Sequence, residues 1–297
     1  MKANLSRRHM LIAGAAGLSL PAALPALAQE TAKTARIGVA IPAATHGWTG
    51  GLNYHTERTI AALKTSFPEL DFVLTTAGDV QAQVNNVEDL IAQGIDALVI
   101  LPMESDPLPE PVKTGNNPQY GTIAAQYFLQ KFPQGGKIVV MRGIPTAIDN
   151  IRIDAFNAAL EGSGIEVLDM QYANWNPDKG FEVMQDFLTR FEHIDGVWAG
   201  DDDAALGAKA AIEQAGRAEG MKLLGGSGMN RAIKMIMDGD PLIDADIFYP
   251  PTLIIPAISV TAMRYAVQAP VQGVYTLDSP LITAENAAEY YFPDSPY

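Results

Sequence analysis

Gly196-Val197-Trp198-Ala199-Gly200-Asp201-Asp202-Asp203-Ala204-Ala205-Leu206-Gly207 decides how this chain is read. An apolar run hands three consecutive carboxylates to the start of an Ala-rich segment. That is the pattern of a buried strand running into a helix, and open α/β sheets bind ligands where such strands end. An Asp at a helix start satisfies orphan N–H groups and complements the helix dipole. One Asp suffices for that work. Three in a row either repeat it or leave a carboxylate for a polar ligand.

The same alternation extends in both directions. Upstream it predicts strands at Lys137–Arg142 and Ile165–Tyr172 and helices at Asp149–Leu160 and Pro177–Phe191. Downstream, a helix to Ala215 leads to a strand at Met221–Leu224 and a helix at Met229–Met237. A strand at Ile243–Tyr249 stops at Pro250-Pro251, a helix covers Thr252–Val267, and a strand follows at Val271–Leu277. Ala284–Tyr297 reads as a surface tail. Near the start, strands at Arg36–Pro42, Asp71–Thr76 and Ile95–Pro102 alternate with a helix ending about Phe67 and another at Asp79–Gln93. Val80, Val84, Val87, Leu90 and Ile91 share one stripe of that second helix, facing a core. Strands alternating with helices give an α/β fold with parallel sheets and right-handed crossovers. Only Met103–Pro118, with Pro107, Pro109, Pro111 and Pro118, breaks the rhythm. Two lobes, one on each side of the break, are the simplest architecture.

Composition narrows the function. The 297 residues, 48% of them hydrophobic, suffice for one large core or two moderate ones. A net charge of −14 argues against nucleic acid and anionic lipid as partners. Without Cys there is no disulfide, thiolate metal site or thiol chemistry, and His9, His46, His55 and His193 have no metal-ligand spacing. No metal or cofactor is expected. Residues 1–28 read as an export signal, with basic Lys2, Arg7 and Arg8, an apolar stretch Met10–Leu27, and a small-residue cleavage site at Ala26-Leu27-Ala28. Ser6-Arg7-Arg8-His9-Met10-Leu11 is similar to the twin-arginine address. The expected location is the bacterial periplasm.

The loops after the strands hold the informative side chains. His46 and Trp48 follow the first strand, and Asn174, Trp175 and Asn176 follow Tyr172. Asp201 to Asp203 follow Ala199, Ser227 follows Leu224, Tyr249 ends its strand, and Arg152 lies nearby on a helix. If every strand delivers its C-terminal loop to one edge, these residues converge. A flat indole covers the C–H face of a sugar ring while carboxylates and amides take its hydroxyls. Each Trp alone could be core, and Arg152 could equally be an ion-pair partner within the framework. Catalysis is the weaker reading. Adjacent Asp201 and Asp202 cannot flank one glycosidic bond, no Gly-x-Ser-x-Gly elbow occurs, and Gly225-Gly226-Ser227-Gly228 lacks the spacing of a nucleotide-binding loop.

Several stretches together resemble the ribose/galactose-type periplasmic sugar-binding proteins of ABC importers. They are Thr45-His46-Gly47-Trp48, Gln93-Gly94-Ile95-Asp96-Ala97-Leu98-Val99-Ile100, Gly143-Ile144, Asp149-Asn150-Ile151-Arg152-Ile153-Asp154-Ala155-Phe156, Asn174-Trp175-Asn176, Asp201 to Ala208, and Met237-Asp238-Gly239-Asp240. The resemblance implies two Rossmann-like lobes joined by a three-strand hinge, closing on a sugar. It implies a first lobe of residues 30–114 with 252–277, a second of 115–251, and a tail of 278–297. It places ligand positions at His46, Trp48, Trp175, Asp201 and Tyr249. The ligand arginine of ribose-type members falls near Asn150, Arg152 matches a neighbouring framework arginine, and Ser227 stands where many members carry Asp. A helix–strand unit of about 25–30 residues, the size of a βα crossover, is missing between Lys113 and Gly115, and with it an acidic clamp residue.

The resulting expectation is a monomeric, non-enzymatic receptor for a small carbohydrate or polyol, serving an ABC permease, with a chemoreceptor as the other candidate partner. The alternatives are a binding-impaired shortened homologue and a sugar-active periplasmic enzyme. Within the triple Asp, the expectation gives Asp201 to the ligand and Asp202 and Asp203 to the helix start, with the cleft as the alternative for Asp202.

Overall fold

The computed structural model describes residues 34–103, 114–270 and 276–297. The export signal, most of the Pro-rich break and Val271–Tyr275 lie outside the described residues. Among the described residues, no helix is long and apolar enough to cross a membrane.

Buried apolar strands and the helices that cover them build two lobes. In the first, β1 (Ala35–Pro42) pairs in parallel with β2 (Leu70–Ala77) on one side and β3 (Ala97–Ile100) on the other. Such a strand, buried on both faces, reads as a continuous apolar run. Helix α1 (Gly47–Ser66) links β1 to β2, and α2 (Val80–Ala92) links β2 to β3. Ile37, Val39, Ile41, Leu52, Phe72 and Val99 form the core, together with Ile254 and Ile258 of α8 (Ile254–Ala266). The chain therefore comes back to the first lobe after making the second.

The stripe on α2 behaves differently from the sequence expectation. Leu90 is fully buried, but Val80, Val84 and Ile91 are 41%, 45% and 63% exposed. The reason is the width of the sheet. Among the described residues it has three strands, with β3 at its edge, and no further element covers that side of the helix.

The short strand β4 (Thr114–Gly115) leads into the second lobe. There a four-stranded parallel sheet has the order β6-β5-β7-β8, formed by β5 (Gly136–Arg142), β6 (Ile165–Tyr172), β7 (Gly196–Ala199) and β8 (Lys222–Leu224). Helices α3 (Asn117–Lys131) and α4 (Ala147–Leu160) pack on one face through Tyr120, Phe128 and Phe156, against Trp198. Helices α5 (Pro177–Arg190) and α6 (Asp202–Gln214) cover the other through Val183, Phe187, Ala204, Ala208 and Ile212. The Ala-rich face of α6 permits close approach. A Cβ on Gly207 would stand 2.0 Å from the Pro177 carbonyl oxygen. After β8 comes α7 (Asn230–Asp238), ended by left-handed Gly239.

Three sequence expectations change beyond this point. The strand expected at Ile243–Tyr249 contracts to β9 (Ala245–Ile247) and pairs antiparallel with β11 (Leu281–Thr283), outside the parallel sheet. Asp240 accepts the N–H groups of Leu242 and Ile243, which holds the preceding residues in a turn. The helix expected from Thr252 begins as a 3-10 turn at Pro251–Leu253, because Pro256, in the first turn of α8, has no N–H to donate to the Thr252 carbonyl four residues back. Of the strand expected at Val271–Leu277, the described part is β10 (Thr276–Leu277), paired in parallel with β4. The tail is the largest correction. Ile282 and Ala287 are buried in the second-lobe core, Tyr290 packs on Phe248 with ring centroids 4.7 Å apart, and Tyr297 is buried as well.

Candidate functional site

The loops at the C-terminal ends of β1, β5, β6, β7, β8 and β9 meet between the lobes. In the first, Thr49 ties the turn before α1: its hydroxyl oxygen accepts the N–H of Thr45 and of His46. This fixes His46 at the helix N-cap position and turns Trp48 toward the hinge. The indole N–H of Trp48 donates to the Tyr249 carbonyl at 2.8 Å, and their ring centroids lie 6.0 Å apart.

Tyr249 in turn belongs to a cation–aromatic stack. The Arg152 guanidinium carbon lies 4.0 Å from the Tyr120 ring centroid and 4.5 Å from that of Tyr249. Arg152 Nε donates to Asn117 Oδ1 at 2.9 Å. Two π-faces and an amide thus hold this buried cation, where the sequence had also left room for a carboxylate partner. The carboxylate beside α4's first turn, Asp149, pairs instead with Arg142 at 2.6 Å and accepts the N–H of Gly143. Asn150 is exposed, its side-chain oxygen accepting from Arg142. It stands at the margin of the cluster rather than inside it.

Trp175 reaches across toward the first lobe. Its indole and the His46 imidazole have centroids 5.9 Å apart. The ring lies flat over Gly143, where a Cβ would fall 2.1 Å from indole atoms. Asn174 and Trp175 have φ values of 57° and 50°, and Ser227 has φ 123°. Non-glycine residues in this region cost roughly 1–3 kcal/mol each, and such strain collects at ligand clamps. Three of the four described non-glycine residues with positive φ belong to these two loops. A cavity of about 10 Å³, the size of one water molecule, sits under Trp175 between Arg152, Asp149, Trp198 and Gly200.

The three carboxylates divide their work in a way the sequence did not foretell. Asp201 is the N-cap of α6, its Oδ1 accepting the Ala204 N–H at 3.0 Å. Its Oδ2 is buried without a hydrogen-bond partner. Asp202 is fully buried and accepts the N–H groups of Gly226 and Met229, stapling the β8 loop. Asp203 accepts the Gly47 N–H of the first lobe at 3.1 Å. The capping role given to Asp202 and Asp203 therefore falls to Asp201, and Asp203 bridges the lobes. The physical reason is the helix start: the residue with extended φ, one before the first helical position, is the one that can cap.

Burial sets the electrostatics. It pushes the Asp201 carboxyl well above the ordinary range, opposed by the Ala204 N–H and reinforced by Asp203 and Asp202. Asp202 is pushed up to about 6 by burial, and Asp246, buried beside it, rises well above the usual carboxylate value from burial and the Asp202 charge. His46 is lowered to about 4 by burial, so it is neutral at pH 7. A raised carboxyl can donate as well as accept. The arrangement therefore offers flat aromatic surface, fixed acceptors and, in Asp201 Oδ2, a buried carboxyl oxygen without a partner.

Of the residues singled out from sequence, His46 and Trp175 meet each other. Trp48, Arg152 and Tyr249 form a second contiguous group, and Asp201 and Ser227 face Tyr297. Sequence reasoning missed Asn117 and Tyr120, whose hydroxyl donates to the Gly200 carbonyl. Their only signal was the polar start of a helix just past the Pro-rich break. It also missed Tyr297, for which a terminal aromatic gives no positional signal at all.

A family model described as a periplasmic binding protein domain matches residues 112–269. The D-ribose/D-allose-binding protein of Pseudomonas aeruginosa is 26% identical over 202 residues, 57% of this chain and 63% of that protein. The ribose import binding protein of Salmonella typhimurium is 29% identical over 193 residues, 56% of this chain and 65% of that protein. The chain thus spans less than two thirds of the length of these two relatives. The fold is that of an ABC transporter solute binding protein from Bacillus halodurans with bound myo-inositol. That structure has a TM-score of 0.76 and 20% identity, and the match covers 90% of this chain and all of that one.

Proposed function

This chain belongs to the periplasmic binding protein family, and from that premise we propose that it is a non-catalytic receptor for a small carbohydrate or polyol, serving an ABC importer in the periplasm. The observation that carries the reading is an indole, Trp175, that faces His46 of the first lobe, together with a buried carboxyl oxygen, Asp201 Oδ2, that has no partner. An indole covers the apolar face of a ring or chain of carbons, and a buried acceptor demands a hydroxyl. The relatives named for ribose and allose, and the fold neighbour with myo-inositol, bind the same chemistry. Asp201, Trp175, His46, Trp48, Ser227 and Tyr249 are the proposed ligand-facing residues, with Arg152 holding Tyr249 in place.

The cavity of about 10 Å³ under Trp175 is lined by second-lobe residues and is too small for a sugar, so the proposed ligand lies between the lobes, with His46 on one side and Trp175 and Asp201 on the other. Hinge closure around the ligand is the motion proposed. The pivots are the Pro250-Pro251 turn and the β4–β10 pair. Export by the twin-arginine signal, action as a monomer and delivery to a membrane permease complete the proposal, with a chemoreceptor as the second candidate partner. Titration calorimetry of residues 29–297 against glycerol, erythritol, xylitol, ribose, myo-inositol, glucose and maltose tests it. Saturable binding of at least one, with the ligand recovered unchanged, is expected. A folded sample that binds none overturns the reading, and a ligand recovered chemically altered favours an enzyme.

A further inference from the structure

The segment Phe292–Tyr297 crosses from the second lobe to the first. On the second lobe, Asn230 of α7 donates through Nδ2 to the carbonyls of Phe292 and Ser295 and accepts the Phe292 N–H. On the first lobe, the Ser295 hydroxyl bonds His55 of α1 at 3.2 Å. This double attachment delivers Tyr297 into the space between the lobes. The tyrosine is 5% exposed. Its ring runs along the start of α1, where two glycines make way for it. A Cβ on Gly51 would lie 2.8 Å from Tyr297 Cβ, and one on Gly47 would lie 3.1 Å from its Cε2. The phenol then faces the second lobe, with Asp201, Asp202, Asp203 and Ser227 as its polar surroundings.

The hydroxyl is the informative atom. Tyr297 Oη is buried and has no hydrogen-bond partner within normal distance and angle, although the Ser227 side chain is near enough to act on the phenol. Asp201 Oδ2, reached from a different element, is in the same condition. A buried polar group without a partner costs free energy. A ring that served only to fill space would do so at lower cost as Phe. Two such oxygens at one cleft call for a ligand that carries hydroxyls, while the ring between them and α1 takes up the volume a larger ligand would need.

We propose that Tyr297 is a specificity-determining residue of the cleft, one that hydrogen-bonds a hydroxyl of the ligand and restricts the site to small polyols and monosaccharides with adjacent hydroxyls. This rests on the proposed receptor function. It adds that the tail, rather than the two lobes alone, completes the site.

The test compares wild-type protein with Tyr297→Phe and Tyr297→Ala by titration calorimetry over the same panel, with melting curves to establish folding. Tyr297→Phe keeps the ring and the fold and should weaken the preferred ligand about tenfold, as for one lost buried hydrogen bond. Tyr297→Ala should weaken it further and admit a larger member of the panel that wild type rejects. Unchanged affinities in Tyr297→Phe overturn the hydroxyl contact, and an unchanged ligand range in Tyr297→Ala overturns the size restriction. Tighter binding of every ligand by Tyr297→Ala also overturns the proposal, because it identifies the ring as a plug. If wild type binds a ligand and the variants match it, this inference alone fails. If folded wild type binds none, the receptor reading fails and takes this inference with it.

Discussion

The Gly47 N–H of the first lobe donates to the Asp203 carboxylate of the second at 3.1 Å, joining the starts of helices α1 and α6 across the cleft. The carboxylate faces one helix N-terminus while it belongs to another, so two positive dipole ends share it. Burial raises its pKa, and the N–H groups of Gly47 and Trp48 pull it back down. The proposed parting of the lobes would break this contact. Asp203→Ala should therefore leave the melting temperature nearly unchanged and weaken ligand binding by about tenfold, the scale of one hydrogen bond to a charged group. Calorimetry and small-angle scattering with saturating ligand would measure both. A fall in thermal stability with affinity unchanged would place the contact in the fold rather than in closure.

Asp201→Ala removes the α6 cap, and the expected loss is about 1 kcal/mol in urea unfolding. Asp201→Asn keeps a capping oxygen and should retain most of that stability. Both replace the Oδ2 oxygen and should impair ligand binding. Equal stability loss in the two variants would show that capping is not the source.

The buried Asp202–Asp246 pair gives a pH dependence of definite sign. Both carboxyls are raised in the folded protein, Asp202 to about 6. The native state therefore holds more protons than the unfolded chain above pH 4, and stability contributed by the protonated pair falls as pH rises from about 4 through 6. Asp246→Asn keeps the shape, removes one charge and supplies a donor toward Asp202. It should be more stable than wild type at pH 8, by roughly 1 kcal/mol, and show a flatter pH profile in urea titrations. Destabilisation at pH 8 would mean that the second carboxyl is needed in its charged form.

His46 acts with the opposite sign. Its pKa is lowered by burial to about 4, so the closed cleft favours neutral imidazole and loses stability as pH falls from 6.5 toward 4. The raised carboxyls nearby favour closure over the same range, so the comparison must isolate the histidine. His46→Gln should bind ligand more strongly at pH 5, relative to pH 7, than wild type does. Identical pH profiles would remove His46 from the closure equilibrium.

The strand–helix alternation was legible because buried parallel strands are short apolar runs between polar helix starts. Ile165–Tyr172 is an example, recovered with its expected bounds. The helix stripe at Val80, Val84 and Ile91 misled, since periodicity reports which residues share a face and not whether anything covers it. In the site, strand-exit reasoning found the loops of His46, Trp175 and Asp201. It could not divide three adjacent aspartates, because a one-residue shift of the helix start decides which of them caps. Tyr297 was beyond reach for another reason. Its position depends on Asn230 and His55, 67 and 242 positions away by residue number, and no local pattern encodes so distant a contact.

A crystal structure with the tightest ligand from the calorimetric panel tests the central claim most directly. The account predicts the ligand between the lobes, its carbon face on the Trp175 indole and one hydroxyl within hydrogen-bond distance of Asp201 Oδ2. A ligand bound elsewhere, or one in the cleft that leaves Asp201 Oδ2 without a partner, would contradict it.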